Sequence, residues 1–205
     1  MKIDLKKQIA TYSAPRGSFE LVTPAPARFL MVDGAGDPNT SKAYADAVGS
    51  LYPVAYAAKF LSKGELGRDY VVMPLEALWW SEDMRVFTEA RDKSAWRWTV
   101  MILVPDWVDA ALVEGAIASV RRKATAPALD LVRLEDFDEG LSAQTLHVGP
   151  YDDEGPVLER MHDEFIPAAG LVLTGRHHEI YLSDPRRSSP DKLKTILRQP
   201  VERRA

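Results

Sequence analysis

Residues 28–33 have the sequence Arg28-Phe-Leu-Met-Val-Asp33, an apolar run that predicts a buried strand, and Gly34-Ala-Gly36 after it predicts a turn. Asp37-Pro-Asn-Thr40 then favours a helix start, because short polar side chains cap helix N-termini and proline fits the first turn. Apolar spacing extends this helix to about Leu61. The sequence thus predicts a strand–helix–strand–strand unit whose last two strands cover residues 70–80 and 96–104.

The same order of elements recurs in the C-terminal part of the chain. A strand over Ser142–Val148 ends at Gly149-Pro150, and Asp152 and Asp153 open a helix that stops at Gly170. Two further strands are predicted over residues 177–182 and near 195–201. The repeated order predicts two half-modules, about 28–104 and 141–201.

The connections between these elements predict the fold class. A helix over about 106–122, capped by Asp106, joins the half-modules, and residues 1–27 form an N-terminal adaptor segment. Because the strands come mostly in hairpin pairs, the sheet is expected to be antiparallel and the class α+β. We expect the duplicated modules to pair about a pseudo-twofold axis and to leave a cleft at their seam.

Composition excludes several classes of protein. The 205 residues are 46% hydrophobic and 27% charged, which is typical of a globular chain. The absence of cysteine excludes disulfide scaffolds, thiolate zinc sites and cysteine nucleophiles. Twenty-six basic against 30 acidic residues give a net charge of −4, which argues against nucleic-acid binding. Neither a membrane-spanning stretch nor a secretory signal is predicted, so we expect a cytoplasmic protein.

The segment that follows Arg176 carries the strongest chemical pattern. In His177-His-Glu-Ile-Tyr-Leu182, strand alternation places His177, Glu179 and Tyr181 on one face and Ile180 and Leu182 on the other. If the aliphatic face packs on the helices, the face of Glu179 is turned away from that core.

Glu179 has two chemical uses in a sheltered cleft, and a third possibility is structural. The carboxylate can act as a general base on water. It can also neutralise a bound cation, with aromatic rings adding cation–π attraction. Alternatively, it forms a salt bridge with Arg176 or Arg186 on a solvated sheet face.

A second pattern is the aromatic segment Pro74-Leu-Glu-Ala-Leu-Trp-Trp80. Alternation places Glu76, Leu78 and Trp80 on one face and Ala77 and Trp79 on the other. The sequence has five tryptophans, all between Trp79 and Trp107. Such a density indicates either a hydrophobic core or the walls of a pocket for a flat ligand.

Motifs for metals and nucleotides are missing from the sequence. His177 and His178 point to opposite faces of a strand, so they do not converge on one metal ion. Gly34-Ala-Gly36 lacks the remainder of a dinucleotide or phosphate-binding loop, and no nucleophile elbow is present. We therefore expect neither a metal nor a cofactor.

Taken together, these segments resemble the GyrI-like small-molecule-binding superfamily, in its stand-alone branch without a DNA-binding domain. The resemblance covers most of the chain and includes the Tyr52–Phe60 helix segment. It rests further on Phe29-Leu-Met-Val-Asp-Gly-Ala-Gly-Asp-Pro-Asn39, Pro74–Trp80, Leu146-His-Val-Gly-Pro-Tyr-Asp-Asp-Glu154, His177–Arg187 and Leu193–Arg198.

The resemblance implies a duplicated fold of this kind with a ligand cleft. Effector domains of multidrug-responsive activators bind flat, hydrophobic, often cationic compounds against a buried glutamate, to which Glu179 corresponds. Some stand-alone members are cyclopropanoid hydrolases, which open a strained cyclopropane by adding water. We therefore expect Glu179 and Tyr181 to be catalytic if there is turnover. The expected ligand-binding residues are Tyr56, Glu76, Trp80, Trp98, Tyr151 and His177.

Three functions remain open at this point. The chain is a detoxifying hydrolase, a module that binds hydrophobic or cationic aromatic compounds, or a protein-interaction module like the superfamily's gyrase inhibitor. The aromatic-rich strands favour a small-molecule partner over a protein partner. We expect no nucleic-acid or membrane partner, and a monomer or weak homodimer.

Overall fold

The computed structural model describes residues 2–81, 93–123 and 125–204. The helices are α1 (Leu5–Gln8), α2 (Lys42–Glu65), α3 (Ala110–Lys123), α4 (Gly155–Glu159) and α5 (Ile166–Ala168), with a π-helical segment at Arg160–Phe165. The strands are β1 (Lys2–Ile3), β2 (Glu20–Val22), β3 (Ala27–Ala35), β4 (Asp69–Tyr70), β5 (Glu76–Trp80), β6 (Arg97–Val104), β7 (Arg133–Phe137), β8 (Ser142–Val148), β9 (Leu171–Leu173), β10 (His177–Tyr181) and β11 (Lys194–Arg203). The predicted α+β class with antiparallel sheet is confirmed. No helix in the described ranges has the length and apolar composition that crossing a bilayer requires.

Residue contacts divide the chain into two compact units. The first consists of Met1–Ile9, Ala27–Met73 and Trp80–Phe137, and the second of Ala10–Pro26, Pro74–Trp79 and Asp138–Ala205. The predicted single strand over residues 70–80 is two strands, β4 and β5. Pro74 lies between them and has no amide hydrogen to donate to a strand ladder.

The first unit contains an antiparallel sheet with β3 at its centre. Met31 of β3 lies opposite Met101 of β6 on one side and opposite Arg133 of β7 on the other. Helix α2 packs on β3 and on α3, and Leu51 and Val54 on its inner face are fully buried. In addition, β1 and β4 form a short parallel pair.

Helices α2 and α3 of the first unit begin later than predicted. The cap of α2 is Ser41, whose Oγ accepts a hydrogen bond from the Tyr44 amide at 3.4 Å. Asp37 instead accepts from the Asn39 amide in the preceding turn. Asp109, and not Asp106, accepts from the Leu112 amide at 2.9 Å at the start of α3. In each case the capping hydrogen bond is accepted by a polar residue that directly precedes the helix, Ser41 for α2 and Asp109 for α3.

Gly34 makes room for a large buried ring in the first unit. Trp98 lies directly opposite it on β6 and is only 1% exposed. The indole packs edge-to-face on Tyr44, and its Nε1 donates to the Gly36 carbonyl at 3.3 Å. A Cβ on Gly34 would lie 2.1 Å from the Trp98 ring, so a side chain at residue 34 is incompatible with this packing.

The second unit contains an antiparallel sheet in the order β2-β8-β11-β10-β5, with β9 also paired to β11. Glu179 on β10 lies opposite Leu197 on β11 and opposite Ala77 on β5. Directly opposed residues of antiparallel strands point to the same face. We call the face that carries Glu179, Leu197 and Ala77 the Glu179 face, and the face that carries His178 the reverse face.

The helical segments of the second unit cover the Glu179 face. Leu197 belongs to a buried cluster with Met161 and Ile166, which lie in the π-helical segment and α5. The alternation of aliphatic residues predicted that the Glu179 face is turned away from the helices. That prediction is wrong, because the helical segments pack on this face. The other buried members of the cluster are Ala143, Leu171 and Val201.

The reverse face carries a buried network of charged side chains. His178 donates from Nδ1 to Glu139 at 2.8 Å and from Nε2 to Glu76 at 3.0 Å. Glu76 also accepts from the Tyr12 hydroxyl, and Arg198 donates to Glu139 at 2.8 Å. These bonds join the segment that contains Tyr12 to three strands of the sheet.

The network favours the charged forms of His178 and Glu139. Burial opposes the charge on His178, but Glu139 and Glu76 outweigh it and raise the pKa of His178 to about 9. Burial likewise opposes the charge on Glu139, but His178 and Arg198 lower its pKa to about 2. Because removing one partner leaves an uncompensated buried charge, a broken pair costs about 3–5 kcal/mol.

Replacement of Gly34 by alanine tests the packing of Trp98. We expect Gly34→Ala to lower the free energy of unfolding by about 3 kcal/mol, because the new methyl group overlaps the indole ring. Gly49→Ala is the control: Gly49 lies in α2 with open space around it, and a helical alanine stabilises by about 0.5–1 kcal/mol. Urea denaturation measures the free energy of unfolding of both variants. Equal values for Gly34→Ala and Gly49→Ala would contradict the packing of Trp98 against Gly34.

The charged network predicts the pH dependence of stability. His178 has a raised pKa when folded, so its contribution is complete below about pH 6.5 and is lost as the pH rises through 9. Glu139 has a lowered pKa, so its contribution is complete above about pH 4.5 and is lost toward pH 2. We expect the free energy of unfolding to fall from pH 6.5 to 9 in denaturant titrations.

His178→Gln is the control for this profile. The variant should be less stable throughout, and its unfolding free energy should lack the alkaline decline that His178 causes. A wild-type profile that is flat between pH 6.5 and 9 would contradict a charged His178.

Candidate functional site

Glu179 is a sheltered carboxylate at the centre of the candidate site. Its side chain is 15% exposed on strand β10 of the second unit. Oε2 accepts a hydrogen bond from the Tyr181 hydroxyl at 2.7 Å, and Oε1 lies 3.5 Å from Nε2 of His177. Within the described residues, Glu179 forms no ion pair with a lysine or arginine. The predicted alternative of a salt bridge to Arg176 or Arg186 is thus not formed.

Trp79 supports the Tyr181–Glu179 hydrogen bond from the neighbouring strand. Its indole Nε1 donates to the Tyr181 hydroxyl at 3.1 Å, so this hydroxyl accepts from Trp79 and donates to Glu179. Trp79 lies directly opposite His177 in the β5–β10 pair and is 4% exposed. Three side chains on two strands therefore form one hydrogen-bonded chain.

Tyr151 adds a partly exposed aromatic ring. Its centroid lies 5.6 Å from that of Tyr181 at an interplanar angle of 74°, and the residue is 38% exposed. Tyr151 follows a turn at Gly149, whose φ of 150° is in the region that favours glycine. His147 Nε2 lies 3.0 Å from the Pro150 carbonyl, within hydrogen-bonding distance, and so fixes the same turn.

Negative charge dominates the surroundings of Tyr151. Burial raises the pKa of its hydroxyl to about 12, with further contributions from the carboxylates of Glu154, Glu179 and Asp184. Asp184 is paired with Arg186 at 2.9 Å at the surface. Within the described residues, Glu179 has no lysine or arginine partner, so the site offers aromatic faces beside a sheltered carboxyl group.

The structure brings together four of the predicted site residues and places the others elsewhere. Glu179, Tyr181, Tyr151 and His177 lie in the second unit around one carboxylate. Glu76 lies in the same unit but on the reverse face, 1% exposed, with both carboxylate oxygens occupied by Tyr12 and His178. The structure therefore gives Glu76 a place in the core network and not on the Glu179 face.

The remaining three predicted residues belong to the first unit. Tyr56 is 49% exposed on α2, and Trp80 is half-buried at the end of β5. Trp98 is buried against Tyr44 and contributes to the core of that unit. For Tyr56 and Trp80, contact with a ligand stays a prediction.

Sequence reasoning did not select Trp79 and His162 as site residues. Trp79 was assigned to the strand face away from Glu76, which is correct, but only the register of β5 against β10 shows that this is the Glu179 face. His162 lies in the π-helical segment, 6.4 Å from His177 between ring centroids. Among the described residues, no three histidine or carboxylate side chains converge as metal ligands would.

Comparisons with solved structures identify relatives of this chain. An uncharacterized conserved protein from Listeria innocua is 42% identical, with a TM-score of 0.89 over 98% of this chain and 100% of that one. A hydrolase from Listeria innocua is 39% identical, with a TM-score of 0.85 over the same shares. The EcmrR C-terminal domain shares the fold at 10% identity, with a TM-score of 0.55 over 91% of this chain and 98% of that one.

A comparison with curated protein sequences gave no significant match. The model of the GyrI-like small molecule binding domain, however, matches residues 18–201, which include both half-modules predicted from the sequence and every side chain of the candidate site. The chain therefore belongs to the GyrI-like small-molecule-binding domain family.

Proposed function

We propose that the Glu179 face binds planar aromatic compounds that carry positive charge or an electron-poor carbon, and that it hydrolyses cyclopropanoid electrophiles among them. The observation that carries this proposal is the environment of Glu179. Its carboxylate is sheltered, accepts a hydrogen bond from Tyr181 and has no lysine or arginine partner in the described chain.

The charge of the site explains the preference for cations. A carboxylate that is largely removed from water loses solvation, and a bound cation restores favourable electrostatic energy. Tyr151 and Tyr181 meet edge-to-face beside this carboxylate. Aromatic rings attract cations through their negative faces and pack on flat apolar surfaces, so the same site serves both parts of a planar cation.

Hydrolysis requires a base for water and an acceptor for displaced electrons. Glu179 would remove a proton from water as the oxygen bonds to the strained cyclopropane carbon. The carbon–carbon bond of the ring breaks, and its electron pair moves through the conjugated dienone to the carbonyl oxygen, which takes up a proton. The product equals the substrate plus one water. The 39% identical relative named as a hydrolase supports this assignment.

Tyr181 would act mainly by holding the base in place. Its hydroxyl proton is directed at Glu179 and its oxygen accepts from Trp79, so the carboxylate cannot rotate freely. In the described part of the chain Oε1 has only His177 as a neighbour, at 3.5 Å, and it is the oxygen that would receive the proton of water. Tyr151 is farther from the carboxylate chain and would pack on the ligand.

Binding of N-methylacridinium tests the cation site. We expect Glu179→Gln to weaken binding about tenfold or more in fluorescence titration, because the variant keeps the shape of the side chain but loses its charge. Glu159→Gln is the matched control, since Glu159 is an exposed carboxylate on α4 of the same unit. Equal affinities of the two variants would contradict a role of Glu179 in cation binding.

Turnover of a cyclopropanoid dienone, followed by mass spectrometry, tests the hydrolase. We expect the wild type to form the hydrated product catalytically. Glu179→Gln should form it about a hundredfold more slowly or slower still, because the base for water is lost. Tyr181→Phe keeps the ring against Tyr151 but removes the hydrogen bond to Glu179, and should lower kcat about tenfold. Wild-type binding without a change of mass would leave a binding protein and refute the hydrolase.

A further inference from the structure

Buried polar atoms without hydrogen-bond partners gather beside Glu179. His177 is 9% exposed, and both of its ring nitrogens are buried and have no hydrogen-bond partner among the residues that the structure describes. The Nε2 of His162 and the Oγ1 of Thr195 are also buried and unpartnered. Since buried polar groups in folded proteins are nearly always hydrogen-bonded, this concentration needs an explanation.

These atoms belong to one place in the fold. Thr195 lies opposite Tyr181 in the β10–β11 pair, so it shares the Glu179 face with His177. The ring of His162 meets that of His177 edge-to-face, with centroids 6.4 Å apart and an interplanar angle of 78°. The reverse face differs, because there both ring nitrogens of His178 are hydrogen-bonded, one to Glu139 and the other to Glu76.

The π-helical segment explains how His162 reaches this position. It interrupts the α-helical hydrogen-bond pattern between α4 and α5 at Arg160–Phe165. Such interruptions are rare and occur frequently at functional sites. Met161 and Ile166 anchor the segment in the core cluster, so the ring of His162 is held against His177 by buried neighbours on both sides.

We propose that His177 hydrogen-bonds an uncharged polar group of the ligand, such as a ring carbonyl, and that His162 is the positioning residue that fixes the His177 ring. The inference rests on the proposed function and narrows its ligand class. The ligand would be a planar aromatic compound whose ring edge carries a carbonyl or hydroxyl group beside the part that faces Glu179.

The protonation of His162 agrees with a positioning role. Burial, together with the neighbouring His177, lowers the pKa of His162 to about 4. The ring is therefore neutral at pH 7. A neutral His162 ring of fixed orientation can support His177 by packing, so that the nitrogens of His177 stay available to the ligand.

Two probes separate this inference from the proposed function. N-methylacridinium is a planar cation without a carbonyl, and N-methylacridone is an uncharged ring system of the same size with one carbonyl. We expect His177→Phe to weaken the binding of N-methylacridone about tenfold, because a hydrogen bond to the ligand is lost. The affinity for N-methylacridinium should stay within about threefold of the wild-type value. His177→Gln, which keeps a donor and an acceptor, should recover part of the affinity and serves if the phenylalanine variant does not fold.

His162→Phe tests the positioning role, because it keeps an aromatic ring beside His177. We expect His162→Phe to weaken the binding of N-methylacridone about threefold to tenfold. It should also change the tautomer ratio of His177, which is measured from the chemical shifts of the imidazole nitrogens. Glu164→Gln, an exposed change in the same π-helical segment, should alter neither quantity.

The outcomes distinguish the two proposals. If His177→Phe binds N-methylacridone as tightly as the wild type does, the inference is overturned. Weaker binding of N-methylacridinium by Glu179→Gln would still support the cation site in that case. An effect of His162→Phe on affinity with an unchanged His177 tautomer would overturn the positioning role. Binding of neither probe to the wild type would overturn both proposals.

Discussion

The pairing of β5 with β10 is the constraint on which the candidate site depends. Its register sets Trp79 opposite His177 and Ala77 opposite Glu179, which brings the indole N–H to the Tyr181 hydroxyl. The hydroxyl in turn donates to Glu179. A shift of one residue would exchange the two faces of β5 and remove the indole from this chain of hydrogen bonds. A backbone ladder therefore determines the geometry of the carboxylate.

The two faces of this sheet differ in how completely their polar groups are satisfied. On the reverse face, His178 is bonded through both ring nitrogens to carboxylates, which favours its charged form. On the other face, the ring nitrogens of the adjacent His177 have no hydrogen-bond partner, and Glu179 has no lysine or arginine partner, among the described residues. One face stabilises the unit, whereas the other retains unsatisfied hydrogen bonds and charge, which is the condition that ligand binding relieves.

Much of the architecture and part of the site were predictable from sequence. Apolar runs that end in glycine located β3 and β8, and strand alternation correctly grouped His177, Glu179 and Tyr181. The strands β2 and β9, with three residues each, are too short for a periodic pattern and were missed. The five residues of β7, Arg133-Leu-Glu-Asp-Phe137, do not alternate between apolar and polar, so β7 was missed as well. That Trp79 lies on the Glu179 face and Glu76 on the reverse face was not predictable, because pairing register depends on distant residues; ligand contact of Trp80 stays a prediction. His162 was missed because nothing in the sequence marks a π-helical segment.

A crystal structure of the complex with N-methylacridinium tests the central claim most directly, since it shows where the ligand lies. The account predicts the acridinium ring packed against Tyr151 and Tyr181, with its charged nitrogen within about 6 Å of an aromatic centroid and nearest to Glu179 among the carboxylates. A ligand bound with full occupancy elsewhere on the protein, with the Glu179 face unchanged, would contradict it.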